Sequence, residues 1–191
     1  TKYASGYGTG RITYSEFWWS SSMQYIKIVQ TGSSSNWWSI ADVAIYSGSS
    51  LERTGWNFTA SSGTSPSNVK DGDLGTVWST GANQTNGQWF QVDMGANLTF
   101  NQVLLDTPKN TSYEYDYPQG YTVQVSSDGT TWTQVASGQG RRKVTPINFP
   151  AVSARYIKVT QTGSASNWWS IGEFNVNLNN DETSMNLSFN S

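Results

Sequence analysis

The sequence predicts an all-β protein built as an antiparallel β-sandwich, or jelly roll, and three observations lead to that prediction. Aromatic residues are abundant, with 10 Trp and 10 Tyr among 191 residues, whereas Ala, Leu, Glu and Lys are few. Several stretches alternate apolar and polar side chains, as half-buried strands do. Turn-forming residues separate these stretches, and no convincing amphipathic helix interrupts them.

The first clear strand is QWFQVDM, which begins at Gln88 and places Phe90, Val92 and Met94 on one face. The later strands are FNQVLLD from Phe100, GYTVQVS from Gly120, ARYIKVT from Ala154 and GEFNVN from Gly172. Turns are predicted at Asp71-Gly72, Gly95-Ala96-Asn97 and Asp128-Gly129. Short strands joined by frequent turns are typical of a sandwich with antiparallel pairing.

Charge and composition exclude several classes of function. The formal net charge is −2 and the cations are scattered, apart from Arg141-Arg142-Lys143, so neither strong nucleic-acid binding nor attraction to anionic membranes is expected. No apolar run is long enough to span a bilayer, so no membrane insertion is expected. The chain has no Cys and no His, which removes disulfides, His-based triads and the commonest zinc ligands. A surface rich in Ser, Thr, Asn and Gly and poor in Lys favours a secreted, extracellular bacterial protein.

One segment of the chain occurs twice. TGSSSNWWSI begins at Thr31 and TGSASNWWSI begins at Thr162, a spacing of 131 residues at which residues 25–46 align with residues 156–177 and 13 of 22 positions are identical. We therefore predict three parts, which are the C-terminal third of one repeat (1–47), a complete repeat (48–178), and a linker with the start of a further repeat (179–191). The alternative is a single domain with two similar hairpins.

Five motifs identify a known family by their combination and order. They are ASSGTSPSNVKDGDLGTVWST from Ala60, GQWFQVDMG from Gly87, DYPQGYTVQVSSDGTTWTQVASG from Asp116, ARYIKVTQTG from Ala154 and NWWSIGEFNV from Asn167. Together they resemble a discoidin, or coagulation factor 5/8 type C, domain, and more narrowly the family 32 carbohydrate-binding modules of bacterial secreted glycan-degrading enzymes. The resemblance implies an eight-stranded β-sandwich that is not catalytic and binds glycans through loops at one end.

The turn NVKDGDLGT, which begins at Asn68, brings the carboxylates of Asp71 and Asp73 close together. Hard cations such as Ca²⁺ need several oxygens at short range, so this turn is either a calcium loop or a solvated turn capped by an Asp side chain. The resemblance implies the calcium loop, which holds a structural Ca²⁺. Its implied ligands are Asp71, Asp73 and Thr76, the carbonyl oxygens of Asn68 and Gly172, and the carboxylate of Glu173.

The Trp pair of the second copy, Trp168 and Trp169, is expected to divide between surface and core. Adjacent residues of an extended strand face opposite ways. In the family pattern the Trp directly before Ser-Ile is a packing residue, so Trp169 is expected inside and Trp168 outside. An exposed indole beside Asn167 suits sugar binding, because a pyranose stacks its C–H face on an aromatic ring while its hydroxyls bond to amides. The alternative is that both rings pack in the core or between repeats.

The segment DTPKNTSYEYDYPQG, which begins at Asp106, is long for a connection between strands, and long loops on rigid scaffolds often carry function. Tyr113 and Tyr115 in this segment are candidate sugar contacts. The family resemblance implies that Asp106 and Lys109 bond to sugar hydroxyls. The segment TGANQTNGQ, which follows Trp78 by one residue, offers Asn83 or Gln84 as a further candidate.

The predicted function is a non-catalytic carbohydrate-binding module that takes a polysaccharide or oligosaccharide, with tandem copies raising its avidity about 10²–10⁴-fold. A second interpretation is a structural or adhesive repeat protein that self-associates through its incomplete repeats. A third is a glycosidase that uses Glu114 with Asp116 or Asp106, since such enzymes need two positioned carboxylates.

Overall fold

The computed structural model describes residues 26–39 and 48–179, and the chain divides into two compact units, Thr1–Ile45 and Tyr46–Ser191. In the first unit, the described residues 26–39 form no helix or strand, and their side chains are exposed. In the second unit, the described residues form nine strands and two short 3₁₀ helices, Pro66–Lys70 and Thr111–Tyr113. The strands are β1 (Gly48–Ser50), β2 (Asn57–Ala60), β3 (Trp78–Gln84), β4 (Trp89–Asp106), β5 (Tyr121–Ser126), β6 (Thr133–Gly138), β7 (Val144–Gln161), β8 (Ala165–Ile171) and β9 (Glu173–Asn179).

The strands pair antiparallel in two sheets. The larger sheet has the order β1-β9-β4-β7-β5-β6, with β2 also paired to β4, and the smaller sheet contains β3 and β8. The first part of β4 pairs with β2 and its last part pairs with β9. Phe90 in the first part of β4 stacks on Phe174 of β9, with ring centroids 5.8 Å apart, so the two parts of this long strand lie in facing layers. The predicted antiparallel β-sandwich is confirmed.

The core lies between these layers and follows from the period of two in the strands. Phe90, Val92 and Met94 are buried, while Gln91 and Asp93 between them are half-buried. Burying each such apolar side chain contributes about 1.5–3 kcal/mol. The other large core side chains are Trp56, Phe58, Trp78, Phe100, Val103, Leu105, Tyr121, Ile147, Phe149, Ile157, Trp169, Ile171 and Phe174.

Two expectations about the strands were wrong. The predicted turn Gly95-Ala96-Asn97 does not end a strand, because β4 continues through it and its pairing with β7 shifts register between Asp93 and Leu98. Gly95 has a φ of 80°, which glycine adopts readily, and a bulge of this kind bends a strand without ending it. The described part of the chain also holds nine strands, whereas the resemblance implied eight.

Candidate functional site

Trp168 and Trp169 lie in β8, and their side chains differ completely in exposure. Trp169 is fully buried, and its ring meets that of Trp78 edge to face with centroids 5.2 Å apart. Trp168 is 45% exposed. The expected division into one packing ring and one surface ring is confirmed, because neighbouring residues of a strand point to opposite faces.

A bulge in β8 enlarges the exposed surface beside Trp168. Asn83 of β3 pairs with Trp168, but the next residue of β3 pairs with Ala165, so Ser166 and Asn167 are extra residues on the β8 side. Extra residues in a bulge redirect side chains away from the regular alternation. Ser166, Asn167 and Trp168 are therefore exposed in succession, and we call these three residues the β8 strip.

The prediction that Gln84 contacts sugar is wrong, because its side chain is buried and fully engaged inside the protein. Its amide nitrogen donates to the carbonyl oxygens of Trp168, at 2.9 Å, and Tyr117, at 3.1 Å. Its amide oxygen accepts from the backbone nitrogen of Gln119, at 3.2 Å, and from the side chain of Gln161. Gln84 therefore positions the backbone beneath the indole of Trp168.

The aromatic loop, residues 107–120 between β4 and β5, is tied to β8 through Asp116. The backbone nitrogen of Ser170 donates to the Asp116 carbonyl oxygen at 2.9 Å, and its hydroxyl donates to the Asp116 carboxylate at 2.7 Å. Burial raises the pKa of the Asp116 carboxyl above its ordinary value, against the effect of the Ser170 hydrogen bond. Since this carboxylate is buried and bonded to Ser170, it is unsuited to the catalytic role that the glycosidase hypothesis requires.

Tyr115 is the most exposed aromatic side chain of the aromatic loop, at 51%, and Tyr113 is half-buried. The guanidinium carbon of Arg142 lies 4.9 Å from the centre of the Tyr115 ring. Arg142 also forms an ion pair with Glu114. Arg142 was not among the predicted site residues, although the cluster Arg141-Arg142-Lys143 stands out in the sequence. Its position beside Tyr115 depends on a contact between two separate loops.

Asp106 and Lys109 occupy the start of the same region. Asp106 is half-buried at the end of β4, and its carboxylate accepts a hydrogen bond of 3.1 Å from the Asn175 side chain. Lys109 is exposed, and its backbone nitrogen donates to the Leu74 carbonyl oxygen at 3.0 Å. Leu74 belongs to the turn of residues 68–76, which we call the acidic turn, so the aromatic loop and the acidic turn are in direct contact. Sugar contacts by Asp106, Lys109, Tyr113, Tyr115, Asn167 and Trp168 stay a prediction.

The acidic turn gathers several oxygen atoms around the hydroxyl of Thr76. This hydroxyl lies 2.7 Å from the Asp71 carboxylate, 3.0 Å from the Asp73 carbonyl oxygen and 3.4 Å from the Asn68 carbonyl oxygen. The Asp73 carboxylate instead accepts from the backbone nitrogen of Gly75 at 2.8 Å. Hydrogen bonds from the Asp73 backbone nitrogen and the Thr76 hydroxyl lower the pKa of Asp71.

Glu173 reaches the acidic turn from the start of β9. One of its carboxylate oxygens accepts from the Gly72 backbone nitrogen at 2.7 Å, and the other accepts from Arg53. Burial raises the pKa of Glu173, and the nearby Arg53 opposes this change. Gly172, just before it, packs so tightly that an added Cβ would lie 3.1 Å from Leu74 Cδ2 and from Pro108 Cα. The residues predicted as calcium ligands thus lie close together beside the aromatic loop. We call this region, formed by residues 68–76, Gly172 and Glu173, the corner.

The oxygen atoms at this corner fit a hard cation in chemistry, since carboxylate, hydroxyl and carbonyl oxygens are the ligands that Ca²⁺ prefers. Within residues 26–39 and 48–179, however, no group of three or more acidic side chains is close enough to hold a metal ion. The Asp73 carboxylate is turned toward Gly75, so Asp73 offers its carbonyl oxygen to the cluster instead.

In the first copy of the repeated sequence motif, Trp37 and Trp38 are the counterparts of Trp168 and Trp169. They are 94% and 53% exposed, and the described residues around them form no strand. The indole of Trp38 therefore lacks the burial that fixes Trp169. This copy of the motif shows neither the inner packing ring nor the strand pairing of the second copy.

Comparisons with known proteins agree with this fold. A profile of the F5/8 type C domain matches residues 47–174, and no curated protein matches the chain. The family 32 carbohydrate-binding module of C. perfringens NanJ, solved with galactose, is 21% identical with a TM-score of 0.60, and the alignment covers 68% of this chain and 98% of that chain. Chitosan-binding module 1 of a chitosanase/glucanase from Paenibacillus sp. IK-5 is 32% identical with a TM-score of 0.55, covering 65% and 96%. The family 32 module of AlyQ, solved with 4,5-unsaturated mannuronic acid, is 33% identical with a TM-score of 0.54, covering 67% and 97%.

Proposed function

The chain belongs to the F5/8 type C domain family, and on that premise we propose that its complete domain is a non-catalytic carbohydrate-binding module. The β8 strip is the observation that carries this proposal. A surface indole beside an exposed amide, both on a strand whose backbone is held by buried hydrogen bonds, suits the apolar face and the hydroxyls of a pyranose. The sugar ligands of the compared modules support the same class of ligand.

Binding instead of catalysis is also supported by the carboxylates. Of the three that the glycosidase hypothesis needs, Asp116 is buried and Glu114 is paired with Arg142. Asp106 accepts a hydrogen bond from Asn175. A pair of catalytic carboxylates must face a common substrate with a proton donor and a nucleophile or base. These three side chains are directed into contacts within the chain.

The test is the affinity of the 191-residue chain for a panel of soluble polysaccharides, measured with Trp168→Ala and the unmodified chain. We expect Trp168→Ala to weaken binding at least about tenfold, which corresponds to about 1.4 kcal/mol. Trp37→Ala is the matched control, because Trp37 is also exposed but its described surroundings form no strand. Equal affinities of Trp168→Ala and the unmodified chain for every polysaccharide bound would contradict the proposed site.

We also propose a structural Ca²⁺ at the acidic turn. The side chains of Asp71 and Thr76, the carbonyl oxygens of Asn68, Asp73 and Gly172 and the carboxylate of Glu173 would hold it. The ion would supply positive charge among oxygens that otherwise rely on hydrogen bonds, and it would fix the corner where the turn meets the aromatic loop. Its role would be stability and not chemistry.

A secreted, bacterial origin is the setting we propose for the chain. In residues 26–39 and 48–179, no helix has the length and apolar character needed to cross a bilayer. The compared modules include one from a chitosanase/glucanase of Paenibacillus, an enzyme that acts on polysaccharide. A gain in avidity from tandem copies and self-association through incomplete repeats stay predictions.

A further inference from the structure

The charged side chains around the aromatic loop bear on which class of glycan the site binds. This inference rests on the proposed function. We propose that this site takes an anionic polysaccharide whose sugars carry carboxylates, and that Arg142 determines this specificity by pairing with a sugar carboxylate. The structural basis is the contact of Arg142 with Tyr115 and Glu114.

A basic loop, residues 139–143 between β6 and β7, lies beside the aromatic loop. Its backbone is joined to the aromatic loop at two points. The nitrogen of Thr107 donates to the Lys143 carbonyl oxygen at 2.7 Å, and the nitrogen of Gly140 donates to the Pro118 carbonyl oxygen at 2.8 Å. The basic loop therefore borders the aromatic loop at both of its ends.

The cationic side chains of the basic loop and of the aromatic loop are exposed. Arg141, Arg142 and Lys143 are consecutive and exposed, and Lys109 on the aromatic loop is exposed as well. Lys143 has a φ of 69°, in the left-handed region that non-glycine residues adopt only at a cost in free energy. The nitrogen of the following residue, Val144, donates to the Arg142 carbonyl oxygen at 2.9 Å, so the basic loop closes in a tight turn. Strained backbone of this kind is often found at binding sites.

Three carboxylates at the aromatic loop are engaged in contacts within the chain. Asp116 is buried against Ser170, Asp106 accepts from Asn175, and Glu114 is paired with Arg142. The exposed side chains of the basic loop are positive, although Asp71 and Asp73 of the adjoining acidic turn are exposed as well and the chain as a whole has a net charge of −2. Local potentials of this sign attract anionic chains and repel a polymer of glucosamine, whose ammonium groups are positive.

The position of Arg142 suits the binding of a carboxylate. Its guanidinium lies over the Tyr115 ring, an arrangement in which the ring faces the cation and holds it in place. A planar guanidinium can bind a carboxylate through two parallel hydrogen bonds, which an ammonium cannot do. The ion pair with Glu114 shows that Arg142 can bind a carboxylate. In our proposal the sugar carboxylate competes with Glu114 for Arg142.

This competition gives a test in which two variants of one ion pair act in opposite directions. Arg142→Gln should weaken binding of sodium alginate at least about tenfold, since a hydrogen bond to a charged group is lost. Glu114→Gln should strengthen it several-fold, because Arg142 loses its internal competitor. If the ion pair were only structural, both variants would change binding in the same direction, and that result would overturn the proposal.

Arg155 is a matched control for Arg142. It is paired with Asp93, at 2.7 and 2.9 Å, and its guanidinium carbon lies 5.0 Å from the centre of the Tyr156 ring, so it has the same kinds of partner but lies on β7, outside the basic loop. Arg155→Gln should leave alginate binding unchanged. A loss equal to that of Arg142→Gln would show that general charge, and not the Arg142 site, attracts the polymer, and would overturn the proposal.

Affinity gel electrophoresis of the 191-residue chain provides the measurement, with alginate, chitosan or a neutral β-glucan in the gel. We expect alginate to retard the chain, less so at high salt because ions screen exposed charges. Trp168-dependent retardation by chitosan or by the neutral glucan, but not by alginate, would overturn this inference and leave the proposed function standing. No retardation by any of the three would count against both.

Discussion

The side-chain amide of Gln84 donates a hydrogen bond of 2.9 Å to the carbonyl oxygen of Trp168. The donor is fully buried on β3, and the acceptor belongs to the residue whose indole is exposed on β8. The same amide bonds to Tyr117 in the aromatic loop. Gln84 thus holds in register two of the surfaces that the proposed sugar site needs.

Replacing Gln84 should therefore weaken both stability and sugar binding. Gln84→Ala leaves the Trp168 and Tyr117 carbonyls and the Gln161 amide without this partner, and each unsatisfied buried group costs about 1–3 kcal/mol. We expect a loss of about 2–4 kcal/mol in the free energy of unfolding, measured by urea denaturation. Gln134→Ala, at an exposed position on β6, is the control and should change little. Unaltered stability of Gln84→Ala would show that the buried amide network does not hold β8.

The two adjacent tryptophans should respond oppositely in stability and binding. Trp169→Ala removes a fully buried ring packed against Trp78, at an expected cost of about 3–5 kcal/mol. Trp168→Ala removes a half-exposed ring and should cost less than about 1 kcal/mol. Chemical denaturation of both variants checks this, and similar losses would mean that Trp168 is also a packing residue.

Asp116 should make stability fall as pH rises. Its folded pKa is raised by burial, so between its ordinary pKa of about 3.9 and the higher folded value the native state binds more protons than the unfolded state. The contribution is fully present below the unfolded pKa and is lost as pH rises through the folded pKa. Asp116→Asn should remove this part of the fall. Urea denaturation from pH 3 to pH 7 measures it, and an unchanged pH profile would refute the role of burial.

Asp128 supplies a control of opposite sign. Backbone hydrogen bonds from Thr131 and Thr130 and a bond from the Ser126 hydroxyl lower its pKa well below the ordinary value. Its contribution is therefore present above the unfolded pKa and is lost as pH falls toward the folded pKa. Asp128→Asn should flatten the acid side of the stability profile and leave the effect of Asp116 in place.

Calcium should raise the thermal unfolding midpoint, and Asp71→Asn should remove the effect. An ion at about 100 times its dissociation constant stabilises the folded state by about 2.7 kcal/mol, which corresponds to a shift of several degrees. The measurement is thermal unfolding with excess Ca²⁺ and with a chelator. Asp128→Asn should keep the full shift. If the unmodified chain unfolds at the same temperature in both buffers, the acidic turn is a solvated turn held by Thr76 and Arg53.

The sequence by itself determined what depends on neighbouring residues. A period of two assigned Phe90, Val92 and Met94 to the core, and the alternation of a strand separated Trp168 from Trp169. The ordered motifs identified the family. Gly95 misled the prediction because a bulge and a turn both use a glycine with positive φ, so the local sequence does not distinguish them.

Only the tertiary structure decided which polar side chains meet. Gln84 finds its partner Trp168 across 84 residues of sequence, and Arg142 meets Tyr115 because two loops pack side by side. A buried glutamine and an exposed one look alike in sequence, since burial is set by the pairing of distant strands. For this reason the sequence analysis predicted Gln84 as a sugar contact at the surface and did not predict Arg142 as a site residue. Periodicity fixes which way a side chain faces, but strand pairing and loop packing fix what it touches.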